Sequence, residues 1–201
     1  MKKIILVLTA ILLAAALASC AGGKKADDTT VPETTVPETT VPETTVPETT
    51  VPDTTETDPS VFVFEGLSLK LPDGFKLTEI NGVKTAVAET YPSPADNITF
   101  VSVPATSADL EEMTAENMKA MFEQAYSGIG TVSDFTYDRG KLGDADCIVC
   151  ELKATIGEVE MIQKPCSYFF DGKCVTVTFT TATAELADQM TAAYNSVQIV
   201  K

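Results

Sequence analysis

A proline recurs at every fifth position between residues 32 and 52, and this spacing limits the chain more than any other feature. The unit Val-Pro-Glu-Thr-Thr runs four times from Val31 and closes as Val51-Pro-Asp-Thr-Thr55. Each proline lacks a backbone donor and holds the preceding valine in extended conformations, which rules out helix. Threonine and glutamate offer no apolar surface to offset the entropy of ordering. Five residues per unit is also far below the roughly 20 that a solenoid repeat needs. Residues 21–59 are therefore expected to form a disordered, polyproline-biased linker. They carry nine acidic and two basic side chains, and self-repulsion stretches them. The expected span lies between about 35 Å as flexible coil and about 120 Å as full polyproline II. The threonine pairs suit O-glycosylation, although a plain spacer is the simpler reading.

The same segment contains no aromatic residue. All nine Phe and five Tyr fall in residues 60–201, so whatever core exists must be built there. That stretch is long enough for one globular domain, which buries about 68–70% of its unfolded surface. The chain has neither His nor Trp, which excludes Ser-His-Asp and Cys-His catalysis and histidine metal sites. A formal net charge of −15 excludes nucleic acid as a partner.

Residues 1–20 read as an address. Lys2 and Lys3 precede an uncharged run from Ile4 to Leu17, about six residues short of the roughly 20 needed to span a bilayer. The run ends in Leu17-Ala18-Ser19-Cys20, which resembles the lipobox of a bacterial lipoprotein signal peptide. Small residues at 18 and 19 suit entry into a peptidase. The Cys20 thiol is then the atom that carries the lipid. Each buried acyl methylene contributes about 0.8 kcal/mol, so two or three chains hold a protein where one does not. The expected location is the extracytoplasmic face of the cell membrane, with membrane lipid as a partner through Cys20.

Within 60–201, Val61–Phe64 and Leu67–Leu71 read as short strands. Asn81-Gly82 joins strands at Phe75–Ile80 and Val83–Glu89, and another strand covers Ile98–Val103. Leu110, Met113, Met118, Met121, Phe122 and Ala125 then recur at helical spacing, and Thr114 is placed to cap a helix over 115–126. Four strands follow near 131–140, 145–155, 158–170 and 173–181, the last pair turning at Asp171-Gly172. A second helix covers 184–195 behind Thr183, and Val197–Val200 is extended. Consecutive strands interrupted by two helices predict an α+β domain, a central antiparallel sheet with helices packed on it.

Three stretches carry a resemblance. These are Phe64-Glu-Gly-Leu-Ser-Leu-Lys-Leu-Pro-Asp-Gly-Phe75, the helix start Met113-Thr-Ala-Glu116, and Tyr168-Phe-Phe-Asp-Gly-Lys173 leading into Val175-Thr-Val-Thr-Phe179. Together they resemble the PsbP/DcrB-like family over most of 61–200. The resemblance implies an αβα sandwich, usually a non-catalytic accessory and in bacteria often a lipoprotein. It brings no active-site residues with it.

Besides Cys20 there are Cys147, Cys150, Cys166 and Cys174. A turn centred between Ile156 and Gly157 sets Cys147 opposite Cys166, within disulfide reach. Turning at Asp171-Gly172 sets Cys174 opposite Phe169, about 20 Å along the sheet from Cys150. One disulfide, Cys147–Cys166, is therefore expected, with Cys150 and Cys174 free. Pro165 threatens that register if it bulges. Cys147 and Cys150 lie three apart on one strand and face opposite sides, so they cannot share a metal.

Asp134, Asp138, Asp144, Asp146, Glu158 and Glu160 cluster in sequence. They match no calcium-loop pattern and read as a solvated acidic face. Asn97-Ile98-Thr99 has the form of a glycosylation sequon, read here as coincidence. Arg139 is the single arginine, a poor supply for anion clamps. No catalytic residue, metal or cofactor is expected. The leading reading is a lipid-anchored, non-enzymatic binding or assembly accessory with an envelope protein as partner. Its contact surface would be the sheet face or the groove beside the helix at 115–126. The alternative is a small-ligand or cation-binding receptor lipoprotein serving a transporter or sensor.

Overall fold

A computed structural model describes residues 60–92 and 94–200. The expectations for the leader, Cys20 and the proline-spaced linker lie outside these residues. The described elements are β1 (Val61–Phe64), β2 (Leu67–Lys70), β3 (Lys76–Ile80), β4 (Val83–Val87), β5 (Asn97–Pro104), α1 (Ser107–Glu112) and α2 (Ala115–Tyr126). They continue with β6 (Thr131–Leu142), β7 (Ala145–Ile156), β8 (Val159–Phe170), β9 (Lys173–Thr181), α3 (Ala184–Asn195) and β10 (Gln198–Ile199). The strands form a seven-stranded antiparallel sheet in the order β3-β4-β5-β9-β8-β7-β6, and a smaller sheet in the order β1-β2-β10.

Alternation along the strands sorts the apolar residues into two cores. On one face Met118, Met121, Phe122 and Tyr126 of α2 pack on Ile148, Cys150, Leu152 and Met161. On the other, Val175, Val177, Phe179, Ile98 and Phe100 meet Leu67 and Leu69 of the small sheet and Met190 and Ala193 of α3. Helices thus flank both faces of the large sheet, as the α+β expectation requires.

Local chemistry explains the helix boundaries. The Thr114 hydroxyl accepts from the Asn117 amide at 3.3 Å and starts α2, as the spacing predicts. The periodic run from Leu110 is nevertheless not one helix. Thr106 and Asp109 form a reciprocal capping box that begins a separate α1. The Asn117 side chain donates to the Glu112 carbonyl at 2.7 Å and holds the two helices together. Gly130, just past α2, has no alternative residue. A Cβ there would stand 2.2 Å from the Thr155 carbonyl oxygen.

The hairpins at Asn81-Gly82 and Asp171-Gly172 fall where the dipeptides place them, and Phe169 pairs with Cys174 as expected. The β7–β8 register does not follow the expectation. Reversal takes two residues, Gly157 at φ +61° and Glu158, so Ile156 pairs with Val159. Every partner is displaced by two positions. Cys147 faces Tyr168, Cys166 faces Val149, and all four described thiols are free. The expected disulfide pair is diagonal, at about 7–8 Å between Cα atoms, outside the usual bridging range. Pro165 does not bulge. The β7–β8 pairing lapses opposite Lys164 and Pro165, where the donor is missing, and resumes in the same register. A bulge occurs instead in β6, between Ser133 and Thr136, with Asp134 at φ +50°. It lets Val132 and Phe135 both join the α2 core despite their odd spacing.

Helix α3 is docked by a buried carboxylate. Asp96 is fully buried and accepts from the amides of Ala182 at 2.9 Å and Thr183 at 3.3 Å, and from the Thr183 hydroxyl at 3.2 Å. Thr183 occupies the N-cap position, but its hydroxyl is spent on Asp96 and does not cap the helix. Asp96→Ala is therefore expected to cost about 3 kcal/mol by urea denaturation, and Asp96→Asn less, because it keeps one acceptor.

Candidate functional site

An open cleft of about 180 Å³ lies where α3 crosses the large sheet. Ala187, Met190, Thr191 and Tyr194 recur at helical spacing and present one wall, while Glu151, Ile162, Lys164, Phe179 and Thr181 supply the strand side. Phe179 is buried at the floor, but Ile162 is 42% exposed, so part of the apolar wall faces solvent. Lys164 pairs with Phe179 on β9 and makes a 3.0 Å ion pair with Glu151 on β7. Its ammonium also lies 4.7 Å from the centre of the Tyr194 ring. Burial pushes the Tyr194 phenol upward, and the Lys164 charge opposes that shift. The Thr191 hydroxyl donates to the Ala187 carbonyl at 2.9 Å, which leaves its oxygen able to accept. The arrangement suits an apolar group with a polar end near Lys164. None of these residues stands out in the sequence. The available signal is Lys164, a charge in phase with the core residues Cys166 and Tyr168 on one strand.

The sheet face beneath α2 is built differently. The Tyr126 hydroxyl donates to Gln163 Oε1 at 2.7 Å, and Gln163 Nε2 donates to Thr180 Oγ1 at 3.3 Å. Thr85, Thr99 and Thr178 form the neighbouring row by direct cross-strand pairing, and all are buried. Asn97 is 2% exposed, so its sequon is closed to a glycan; Nδ2 donates to the Ala95 carbonyl and Oδ1 has no partner.

The clustered acids do not meet as one group: two converge on one lysine and a third pairs elsewhere. Asp134 and Glu160 both pair with Lys153, at 3.2 and 3.8 Å, while Asp146 pairs with Lys141 at the opposite end of β7. Among the described residues no group of three or more Cys, Asp or Glu is placed to hold a metal ion. No described helix is long and apolar enough to cross a membrane.

No protein-family model and no curated protein sequence matches the chain. Solved structures do. The solution structure of cyanobacterial PsbP (CyanoP) from Synechocystis sp. PCC 6803 superposes with a TM-score of 0.55 at 14% identity, over 75% of this chain and 98% of that one. The fold is PsbP-like. A Bacteroides thetaiotaomicron VPI-5482 structure matches at TM-score 0.46 and 12% identity, over 71% of this chain and 48% of its own. LpqN of Mycobacterium tuberculosis, described as involved in cell envelope biogenesis, matches at 0.42 and 12%, over 67% and 83%.

The PsbP-like sheet separates the thiols by face. Cys150 and Cys174 lie in the α2 core and Cys147 and Cys166 in the α3 core, so Cys147-x-x-Cys150 straddles the sheet as the strand geometry predicts. Burial pushes the Cys150 thiol up to about 12 and the Cys174 thiol up to about 11, and raises Cys166 as well. These groups stay protonated in the folded state while the unfolded chain ionises from about pH 9. Their contribution is complete below that pH and is lost as pH rises toward 11–12. Each such thiol should therefore lower stability by about 1.4 kcal/mol per pH unit in that window. Urea titrations at pH 8 and 10.5 check the slope, which Cys150→Ala should reduce. At pH 8 the half-buried Cys147 should label first with a thiol reagent.

Proposed function

We propose that this chain is a non-enzymatic binding or assembly accessory of the cell envelope. Cys20 carries the lipid that anchors it to the extracytoplasmic face, and the 21–59 segment is the spacer that bears the PsbP-like domain. The observation that carries this reading is where the core begins. Phe62 and Phe64, within five residues of the spacer's end, already pack on Phe100, at ring-centre distances of 4.8 and 5.7 Å. A folded unit starting this abruptly after a proline-threonine repeat suits presentation at a distance from a surface. The leader supports the surface being a membrane, because Leu17-Ala18-Ser19-Cys20 provides the thiol for acylation.

A second reading is favoured by the α3 cleft. A domain of the same placement that holds a small ligand would serve as the receptor component of a transporter or sensor. The dispersed, ion-paired acids give the cation version of that role no support.

Cys20→Ala is the direct test of the anchor. The variant should move from the membrane pellet to the soluble fraction and lose incorporation of labelled fatty acid. Retention in the pellet would overturn the reading.

A further inference from the structure

The α3 cleft has a size, a wall chemistry and a charge, and together they specify a ligand class. We propose that it binds a small monocarboxylate with a compact branched or aromatic body, whose carboxylate takes Lys164 from Glu151. This inference rests on the second reading above.

Size comes first. A dry apolar cavity of roughly 150 Å³ accepts a benzene ring. The cleft, at about 180 Å³, accepts a body of similar bulk. Its walls are Ile162, Phe179, Ala187 and Met190, and exposed Ile162 is the apolar surface that such a body would cover.

The charge sets the polar end. Lys164 and Glu151 are the charged groups lining the cleft. Lys164 is the deeper of the two, its side chain 28% exposed against 45% for Glu151, and the Tyr194 ring holds its ammonium in place. An anion therefore meets a partly desolvated cation packed on a ring, whereas a cationic ligand meets the more exposed carboxylate. Partly exposed pairs such as Glu151–Lys164 are weak, so an incoming carboxylate can replace Glu151 at small cost. Pro165 places this exchange where β8 already lacks a ladder donor. Glu151 thus occupies Lys164 in the empty cleft and yields it on binding.

The experiment uses the full chain in lipid nanodiscs with its methionine methyls carbon-13 labelled. Met190 lines the cleft, while Met113, Met118, Met121 and Met161 lie in the opposite core. The probes are 4-methylpentanoate and its neutral amide. Titration with the acid should shift the Met190 methyl signal saturably and leave those four signals in place, and the amide should bind more weakly. Lys164→Met should abolish the preference for the acid. Glu151→Gln, which leaves the cleft walls intact, should tighten acid binding about threefold, as removal of a competing exposed pair requires. Equal binding of acid and amide overturns the carboxylate assignment but leaves the small-ligand reading standing. No saturable shift of Met190 with either probe, or weaker acid binding by Glu151→Gln, overturns the proposed site. Membrane retention of the Cys20→Ala chain does not enter this readout, so the two tests fail independently.

Discussion

Strand β9 is buried along seven consecutive residues, Cys174–Thr180, and both of its faces must be kept dry. Because cores are packed on both faces of the large sheet, this strand has no solvent side, and each residue needs a partner on one layer or the other. Val175, Val177 and Phe179 point into the core shared by α3 and the small sheet. Thr176, Thr178 and Thr180 alternate with them, and burying hydroxyls costs free energy unless they are hydrogen-bonded. Ser167 lies 2.9 Å from the Thr176 hydroxyl, and Gln163 joins Thr180 to Tyr126. The polar face of β9 thereby helps to position α2, and its apolar face positions α3.

The docking of α3 is settled at both ends. Asp96 gathers the backbone and hydroxyl donors just before the helix, and at the far end Ser196 donates to the Ala193 carbonyl and accepts from the Lys70 amide. Met190 and Ala193 sink into the core, while the neighbouring face turns toward β8 and remains open as the cleft. The shape of the cleft is thus set by residues that do not line it. A substitution at Asp96 or Ser196 would alter the opening of the cleft through the tilt of the helix.

Much of the fold was legible because its signals are local. Asn81-Gly82 and Asp171-Gly172 mark their own turns, and the change from period two to helical spacing places α2 and α3. Features that depend on counting across a turn were not legible. Gly157-Glu158 is weaker turn chemistry than Asn-Gly or Asp-Gly and does not by itself fix how many residues the reversal uses, yet that count moves Cys166 from Cys147 to Val149. The β6 bulge is a similar case, since it depends on tertiary packing that periodicity does not report, whereas α1 is marked locally by its Thr106–Asp109 capping box. The cleft was hidden for a further reason. Glu151, Lys164 and Tyr194 come from three separated elements, and Lys164 taken alone looks like an ordinary surface lysine.

Strand β1 is the outermost member of the three-stranded sheet, hydrogen-bonded to β2 on one side. Its first residue, Val61, pairs with Lys70, and its last, Phe64, pairs with Leu67 at the closed end of the hairpin. A mechanical load entering the domain through Ser60 therefore meets the bond that the Ser60 carbonyl accepts from the Leu71 amide at 3.0 Å, and then the open end of a four-residue ladder. Backbone bonds loaded there would part in succession, like a peeled strip, with the Phe62 and Phe64 rings on Phe100 as the main resistance. Traction on the amino-terminal side would fray one edge strand and spare the seven-stranded sheet behind it.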